Sequence, residues 1–480
     1  MNDKGKMQVG RTPVRSNTDD MVGGGLDRSS EEGAVMEPER RVKRVPSEPR
    51  STTPLVRQHR KTDWYQTKGH ISFLTPKHFL DAYKKVKRNK GSAGVDRVSL
   101  KDFERNLIGN LMCLWNRVVS GSYFPPAVKE VGIAKDDGRV RYLGIPTVGD
   151  RIVQQVIKTL LEPRFEQEFL DCSYGYRSGR SAHDALQVVR LGVLNRNWVI
   201  DLDVASFFDE LPHDLLGKAL DRHVPECWIR RLLDRWLTAD IEPASADRPS
   251  SRQGRGTPQG GVVSPLLANL FLHYTLDKWL KIHYPEAKLV RYADDAIIMM
   301  RTRRMTFELR AALEERFSAC GLRLHPEKTR VVYCKNFIRE DKHRPLTFDF
   351  LGFRFRPLSR KRKDGSIFLS FDCTISQKNL KGIKARLRSL KFHLWSSATM
   401  KELADKLNPL LEGWLNYYGR FGLRPLRNVM KSVNDRLAKW LCRKYKRFGK
   451  SARKAHRYLR DLARREPSLF AHWKRGIIET

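Results

Sequence analysis

Hydrophobic and polar positions follow two different periods along most of this chain, which predicts a body that mixes helices and strands. From residue 150 to 168, apolar side chains recur every three or four positions, a spacing that predicts an amphipathic helix. Residues 198–204 and 289–299 are apolar and β-branched, with aspartates among them, and indicate buried strands. The second stretch is typical of strand, tight turn and strand, with Asp294 and Asp295 at the turn.

The pattern changes again in the last third of the chain. Residues 348–371 predict two strands around a turn at Asp364 and Gly365. Beyond Gln377 the pattern is helical and basic to the end. Residues 1–60 contain no Phe, Trp or Tyr, so they cannot bury enough apolar surface to offset chain entropy. The predicted organisation is a disordered basic arm (1–60), fingers and palm (61–353), a β-hairpin (354–374), a thumb (375–430) and a basic helical tail (431–480).

The charge balance points to a polyanionic partner. Lys and Arg number 92 against 54 Asp and Glu, which gives a formal net charge of +38. An excess of this size favours contacts with nucleic acid phosphates, although a solvated surface or a scaffold protein has the same composition. Hydrophobic residues make up 40% of the chain, so wholesale disorder is excluded.

The cysteines and the N-terminal sequence bear on the compartment. The seven cysteines lie far apart and form no Cys-x-x-Cys pair, which favours reduced thiols over disulfides or a zinc site. No secretory signal and no apolar stretch of about 18 residues is present. We therefore expect a soluble protein of the bacterial cytoplasm or nucleoid, with no membrane partner.

Three aspartates, Asp203, Asp294 and Asp295, carry the candidate chemistry, whereas Asp201 is more often a structural residue in such sites. Alternation along a strand places Asp201 and Asp203 on one face, while Asp294 and Asp295 occupy the tip of an apolar hairpin. Unpaired carboxylates in such surroundings are costly, and a bound divalent cation offsets that cost. Two magnesium ions about 4 Å apart can activate an attacking hydroxyl and stabilise a leaving pyrophosphate. The alternative is that Asp294 and Asp295 only form the turn.

An ordered series of motifs resembles the group II intron-encoded reverse transcriptase and maturase family. The resemblance covers about residues 70 to 475 and implies an α+β protein with a right-hand polymerase fold. It implies fingers and a palm on an antiparallel sheet, followed by an all-helical thumb and maturase region and a basic helical tail. The motifs are residues 135–151, 173–180, 203–209 with His213, 256–270, 292–295, 325–330, 348–353 and 408–418.

The resemblance implies roles around the metals and the nucleotide. Asp203 and Asp294 would hold two magnesium ions, helped by the carbonyl of Val204, with Asp295 close by. Lys328 would protonate the leaving pyrophosphate, although a lone lysine in a turn is usually only solvated. The residues that would contact the incoming deoxynucleoside triphosphate are Lys135, Arg141, Phe208 and Gln259.

Several of these roles have a physical rationale. The positive charges of Lys135 and Arg141 would offset charge that develops during phosphoryl transfer. A ring at Phe208 would clash with a 2′-hydroxyl, although either Phe207 or Phe208 should belong to the core. Glycines 260 and 261 would let the backbone approach the nucleotide closely. Phe350 to Phe353 would support the primer end, with buried strand packing as the alternative.

The basic tail is a candidate RNA-binding region. Trp440, Tyr445 and Tyr458 are interleaved with Lys and Arg, a mixture that suits phosphate contacts and stacking on unpaired bases. A solvated helix face is the alternative. The residues that we select as RNA-binding are Arg443, Lys444, Lys446 and Arg447.

The resemblance thus implies an RNA-directed DNA polymerase with two-metal nucleotidyl transfer, splicing activity on a cognate group II intron RNA, and a role in retrohoming. Its partners would be an RNA template, a DNA primer, deoxynucleoside triphosphates, the intron RNA and target DNA. No paired Cys and His ligands follow the tail, so no HNH endonuclease is expected. The alternatives are a domesticated relative in phage defence or DNA repair, and a splicing cofactor without polymerisation.

Deletion of residues 1–55 should change thermal stability little, because a segment without aromatic residues contributes almost nothing to a core. The melting temperature of the truncated chain should lie within a few degrees of the full-length value. A large drop would show that this segment contains a folded element.

Overall fold

The computed structural model describes residues 71–478, except 72, 135–137, 139, 247–249, 252, 340–341, 363 and 450. All of the described residues belong to one unit, His59–Thr480. The predicted arm of residues 1–60 and the predicted nucleotide contact Lys135 lie outside the described residues.

A four-stranded antiparallel sheet forms the centre of the body, in the strand order β5-β6-β3-β7. Leu202 pairs with Ala296, so the end of β3 lies beside the turn that joins β5 to β6. The strands predicted at 198–204 and 289–299 are therefore confirmed. The four strands are β3 (Trp198–Leu202), β5 (Lys288–Tyr292), β6 (Asp295–Met300) and β7 (Arg330–Tyr333).

Both faces of this sheet are covered, which explains why β3 is apolar on both faces except at Asp201. Ile200 and Leu202 pack into the large core that the fingers helices share. Val199 points to the other face and packs with the Ala182–Asn195 helix. Ser181 caps that helix, because its side chain accepts a hydrogen bond from the amide of Asp184.

A second sheet, in the order β2-β1-β4, lies in the predicted fingers. Its first two strands are antiparallel, and the short β4 runs parallel to β1. The Val148–Glu168 helix follows β2, which confirms the predicted helix and starts it two residues earlier. The strands are β1 (Val128–Ala134), β2 (Val140–Ile145) and β4 (Ile241–Glu242).

The remaining helices of the body surround these two sheets. Ser264–Leu272 continues without a break into a π-helical turn, His273–Asp277, and then into Lys278–His283. The other helices are Pro76–Arg88, Leu100–Arg105, Leu107–Val119, Phe207–Glu210, His213–His223, Cys227–Leu237 and Arg303–Ala319.

A three-stranded antiparallel sheet, in the order β10-β9-β8, follows the body. The predicted turn at Asp364 and Gly365 joins β9 to β10, but the prediction of only two strands is wrong. The chain also reverses at Leu351 and Gly352, whose φ angles of +48° and +80° allow a tight turn between β8 and β9. The strands are β8 (Phe348–Phe350), β9 (Phe353–Lys361) and β10 (Ile367–Ile375).

The C-terminal part is helical, as predicted, and has its own hydrophobic core between Ile375 and Ile477. The predicted division at residue 430 falls inside the Arg424–Lys444 helix, which packs into this core through Leu426, Val433 and Leu437. We therefore treat residues 375–478 as one helical unit. Its helices are Gln377–Ser389, Phe392–Leu394, Met400–Tyr418, Arg424–Lys444, Lys446–Phe448, Ala452–Arg465 and Ala471–Lys474.

All seven cysteines are free thiols, in agreement with the prediction from their spacing. Within the described part of the chain, the helices are too short or too polar to cross a membrane.

Candidate active site

The palm sheet brings three predicted carboxylates together at one edge. Asp203 follows β3 directly, Asp294 lies in the turn after β5, and Asp295 begins β6. Burial raises the pKa of Asp294, and the charge of Asp203 raises it further. Burial also raises the pKa of Asp295 to about 7, and the charges of Asp294 and Asp203 add to this effect. The three groups therefore repel one another in the absence of a cation.

The loop before β7 holds Asp203 by its backbone. The amide of His325 and the hydroxyl of Thr329 both donate to the Asp203 carbonyl, at 2.8 and 3.1 Å. Lys328 lies in the same loop, and its Nζ is 3.3 Å from Asp203 Oδ1. The predicted general acid is thus placed directly at a predicted metal ligand.

Asp201 has a different environment from its neighbour two residues on. It pairs with Arg330 at 3.2 Å, and burial raises its pKa to about 6.

The backbone of Val204 bridges to Leu324, and its side chain is buried. Its carbonyl as a metal ligand stays a prediction.

A buried arginine holds the turn that carries Asp294 and Asp295. Arg291, near the end of β5, is fully buried and forms two hydrogen bonds to the carboxylate of Asp277, at 2.7 and 2.6 Å. Its Nη1 also donates to Asn269 Oδ1 at 2.8 Å and to the carbonyl of Ala293 at 3.0 Å. The guanidinium therefore fixes the residue immediately before Asp294.

The turn is also packed tightly from the other side. Ala293 adopts a left-handed conformation with a φ of +58°. A Cβ at Gly175 would lie 2.4 Å from the Ala293 amide nitrogen, so only glycine fits there. The next residue, Tyr176, also has a positive φ, +57°, and is 56% exposed. Partial burial raises the pKa of Tyr176, and the nearby charge of Asp294 raises it further.

The predicted nucleotide contacts Arg141 and Gln259 meet across two elements that are far apart in sequence. Arg141 Nε donates to Gln259 Oε1 at 2.6 Å, and the amide of Gly144 donates to the Gln259 carbonyl at 2.7 Å. A Cβ at Gly260, whose φ is +120°, would lie 2.3 Å from the carbonyl of Gly144. Gly260 is therefore required by its contact with β2, whereas the sequence pattern assigns it to the nucleotide.

The two neighbouring phenylalanines separate into a buried and a partly exposed ring. Phe207 is 3% exposed and belongs to the core, whereas Phe208 packs on the edge of that core. Their ring centroids are 5.4 Å apart. The backbone carbonyl of Phe208 accepts a hydrogen bond from the amide of Thr257 at 2.7 Å, which ties this residue to the loop that carries Gln259. Phe208 is thus the ring that can meet a substrate.

Comparison with known proteins matches two regions of this chain to family profiles. The profile of the reverse transcriptase (RNA-dependent DNA polymerase) family matches residues 133–355, and that of the group II intron maturase-specific domain matches residues 380–459. Protein YkfC of Escherichia coli is 31% identical over 330 residues, which are 60% of this chain and 81% of that protein. This chain belongs to the group II intron-encoded reverse transcriptase and maturase family.

Other relatives are matched over smaller shares. The group II intron-encoded protein LtrA of Lactococcus lactis is 31% identical over 218 residues, which are 45% of this chain and 35% of that protein. A solved telomerase of Candida albicans covers 74% of this chain and 64% of its own, at 13% identity and a TM-score of 0.40. The family assignment rests on the two profiles and on YkfC.

The carboxylates of this reverse transcriptase fit a hard divalent cation. Among the described residues, no group of three or more His, Cys, Asp and Glu side chains is placed so that it could hold a metal ion without other ligands. Magnesium typically takes only one or two carboxylates together with substrate phosphates, so an open set of oxygen ligands suits it. The mutual repulsion of Asp203, Asp294 and Asp295 is what a bound cation would relieve.

The residues that position the site were not predicted from the sequence. Asp150 is buried and accepts hydrogen bonds from Tyr123, Trp236 and Gln154, and burial raises its pKa. Gln154 in turn accepts from the amide of Val262 at 2.7 Å and so supports the loop after Gln259. Polar residues inside apolar runs are the signal that could have identified such positions.

Two of the four predicted RNA-binding residues have partners within the protein. Lys444 donates to the carbonyl of Ala398 at 2.6 Å and lies over the ring of Trp440. The guanidinium of Arg447 lies over the rings of Phe448 and Tyr458, at 4.8 and 5.1 Å. Arg443, Lys446 and Arg447 are exposed, and Lys444 is half-buried. Lys444 and Arg447 therefore stabilise the helical unit, and RNA binding by the set of four stays a prediction.

Replacement of Arg291 by Met should destabilise the protein by about 3–5 kcal/mol, because Asp277 would remain buried without a partner. Primer extension should be abolished as well, since the turn before Asp294 would have no donor to hold it. Chemical denaturation and an extension assay measure the two effects.

The double variant Arg291→Met with Asp277→Leu separates these effects. It removes both charges, so it should recover part of the stability while extension stays impaired. Recovery of full extension in the double variant would contradict a positioning role for Arg291.

Proposed function

We propose that this family member extends a DNA primer on an RNA template by nucleotidyl transfer at the Asp203, Asp294 and Asp295 edge of the palm. The observation that carries the proposal is the convergence of these carboxylates with Lys328 at one end of the sheet. Deoxynucleoside triphosphates are the proposed substrates, and two magnesium ions are the proposed cofactors.

The bound metal ions would supply Lewis acidity at the attacking hydroxyl and at the leaving phosphate. The protein contributes the carboxylates that hold the ions and the rigid backbone around them. Asp203 is fixed through its carbonyl, and Asp294 through the Arg291 contact to Ala293. Rigid placement lowers the reorganisation that the transfer step requires.

Binding of the nucleotide is assigned to the fingers side of the same edge. Arg141 is exposed and already oriented by Gln259, so its guanidinium can contact a phosphate through its remaining donors. Burial raises the pKa of Asp294, and the charge of Arg141 partly counteracts this increase. Arg141 is therefore close enough to act electrostatically on the carboxylates. Lys328 is in position to donate a proton to a leaving pyrophosphate.

We also propose that the helical unit binds a cognate intron RNA and assists its splicing, with retrohoming into target DNA as the wider role. The maturase-specific profile over residues 380–459 and the net charge of +38 support this proposal. A splicing cofactor without polymerisation is disfavoured, because the carboxylates, Lys328, Arg141 and Gln259 all retain a coherent arrangement.

Replacement of Asp294 by Asn should lower primer extension by at least about a hundredfold, because the missing metal ligand removes several kcal/mol of transition-state stabilisation. RNA affinity should remain close to that of the parent, since binding depends on many dispersed phosphate contacts. Extension of a primed RNA template and filter binding of the same RNA measure the two quantities.

Asp201→Asn is the matched control, because Asp201 also has a raised pKa but pairs with Arg330. It should retain most of the extension activity. A near-parent rate for Asp294→Asn would contradict the proposed metal site.

Replacement of Phe208 by Ala should increase the use of ribonucleotides relative to deoxynucleotides, because the ring that would meet the 2′-hydroxyl is gone. Stability should change little compared with Phe207→Ala, which empties a buried position and should cost about 3–5 kcal/mol. The ratio of extension with rATP and dATP on one template measures selectivity. An unchanged ratio in a folded Phe208→Ala protein would assign the selection to another residue.

A further inference from the structure

One face of the Arg424–Lys444 helix carries a row of cations. Arg436, Lys439 and Arg443 follow at intervals of three and four residues, which places them on one side of the helix. Lys439 and Arg443 are exposed, and Arg436 is half-buried. Within the part of the chain that the structure describes, none of the three forms an ion pair with a carboxylate.

A short turn brings further cationic and polar groups to this face. Phe392 is fully buried and anchors the Phe392–Leu394 turn in the helical core. Trp440 Nε1 donates to the carbonyl of Trp395 at 2.8 Å, which fixes the end of the turn against the helix. Lys391 begins the turn in a left-handed conformation with a φ of +45°. The turn is therefore held rigidly beside the row of cations.

His393, in the middle of this turn, reports how close the cations lie. Burial lowers its pKa, and Arg443, Arg436, Lys439 and Lys391 each lower it further. Its Nδ1 atom is buried and has no hydrogen-bond partner among the described residues. Four positive charges thus lie close to one imidazole.

The dimensions of the row favour an extended anion. Arg443 lies seven positions after Arg436, which corresponds to about 10 Å along a helix axis. A nucleic acid strand carries one phosphate per about 3.4 Å of helix axis, so the row spans several phosphates of one strand. A single phosphate ion would leave part of the row uncompensated.

We propose that Lys391, Arg436, Lys439 and Arg443, with His393 between them, form a binding site for consecutive backbone phosphates of a structured RNA. The site rests on the proposed RNA-binding function of the helical unit and gives it a location. It shares only Arg443 with the predicted tail set, since the other three members of the proposed site lie outside that set.

The test compares the full-length protein with a triple variant, Arg436→Gln, Lys439→Gln and Arg443→Gln. Filter binding of a structured intron RNA over a salt series should show a dissociation constant raised about tenfold or more. The salt dependence should become shallower: the magnitude of the slope of log K against log salt should decrease by about two to three. Each phosphate that is no longer neutralised reduces this magnitude by about one. The variant Lys439→Gln with Arg443→Gln changes only exposed residues and should show about two thirds of the slope change.

A charge-matched control distinguishes a site from diffuse attraction. Arg453, Arg457 and Arg460 are exposed on the next helix, and their replacement by Gln removes the same net charge. The slope for this control should fall by less than half as much. Equal changes in the two triple variants, or no change in either, would overturn the proposal. Melting temperatures close to that of the parent show that the variants are folded.

The same measurement with an RNA–DNA primer–template duplex identifies the source of the phosphates. A larger decrease in affinity for the structured RNA supports the proposal, whereas a decrease confined to the duplex would overturn the assignment to structured RNA. The binding assay contains no polymerisation step. A failure of the proposed polymerase activity would therefore appear in the extension assay alone and would leave this result standing.

Discussion

The buried ion pair between Arg291 and Asp277 is the constraint on which the catalytic edge depends. Burial of two charges is costly, and it is compensated here because the guanidinium donates to three acceptors: Asp277, Asn269 and the carbonyl of Ala293. Apolar residues could fill the same volume without that cost. The ion pair also orients the turn that carries Asp294, because it fixes the strained left-handed residue immediately before Asp294.

The carboxylates at this edge are arranged so that the folded protein favours a cation. Asp294 and Asp295 both have raised pKa values, and each lies in the field of Asp203. Lys328 supplies one positive charge at 3.3 Å from Asp203. This charge offsets only part of the repulsion among the three carboxylates, because burial remains the largest influence on the pKa of Asp295. The same preorganisation that destabilises the carboxylates alone therefore favours a divalent cation.

The helical unit is joined to the palm through aromatic packing and a few directed hydrogen bonds. His183 Nε2 lies 2.8 Å from the carbonyl of Tyr417, and the Tyr417 hydroxyl donates to the carbonyl of Leu351. Phe353 packs against both Tyr417 and Tyr418. These contacts fix where the helical unit meets the palm. The row of cations on the Arg424–Lys444 helix would therefore hold an RNA at a defined place relative to the carboxylate edge of the palm.

The sequence by itself determined the palm strands, the hairpin turn, the helix after residue 150 and the order of the motifs, because these depend on local periodicity and on residues close together in the chain. Only the tertiary structure decided which partner Arg291 has, which of Phe207 and Phe208 is buried, and why Gly260 lacks a side chain. It also decided that Lys444 is half-buried and donates to the carbonyl of Ala398, while Lys439 and Arg443 face solvent. A basic residue has the same local pattern in both environments, and only packing between elements distant in sequence distinguishes them.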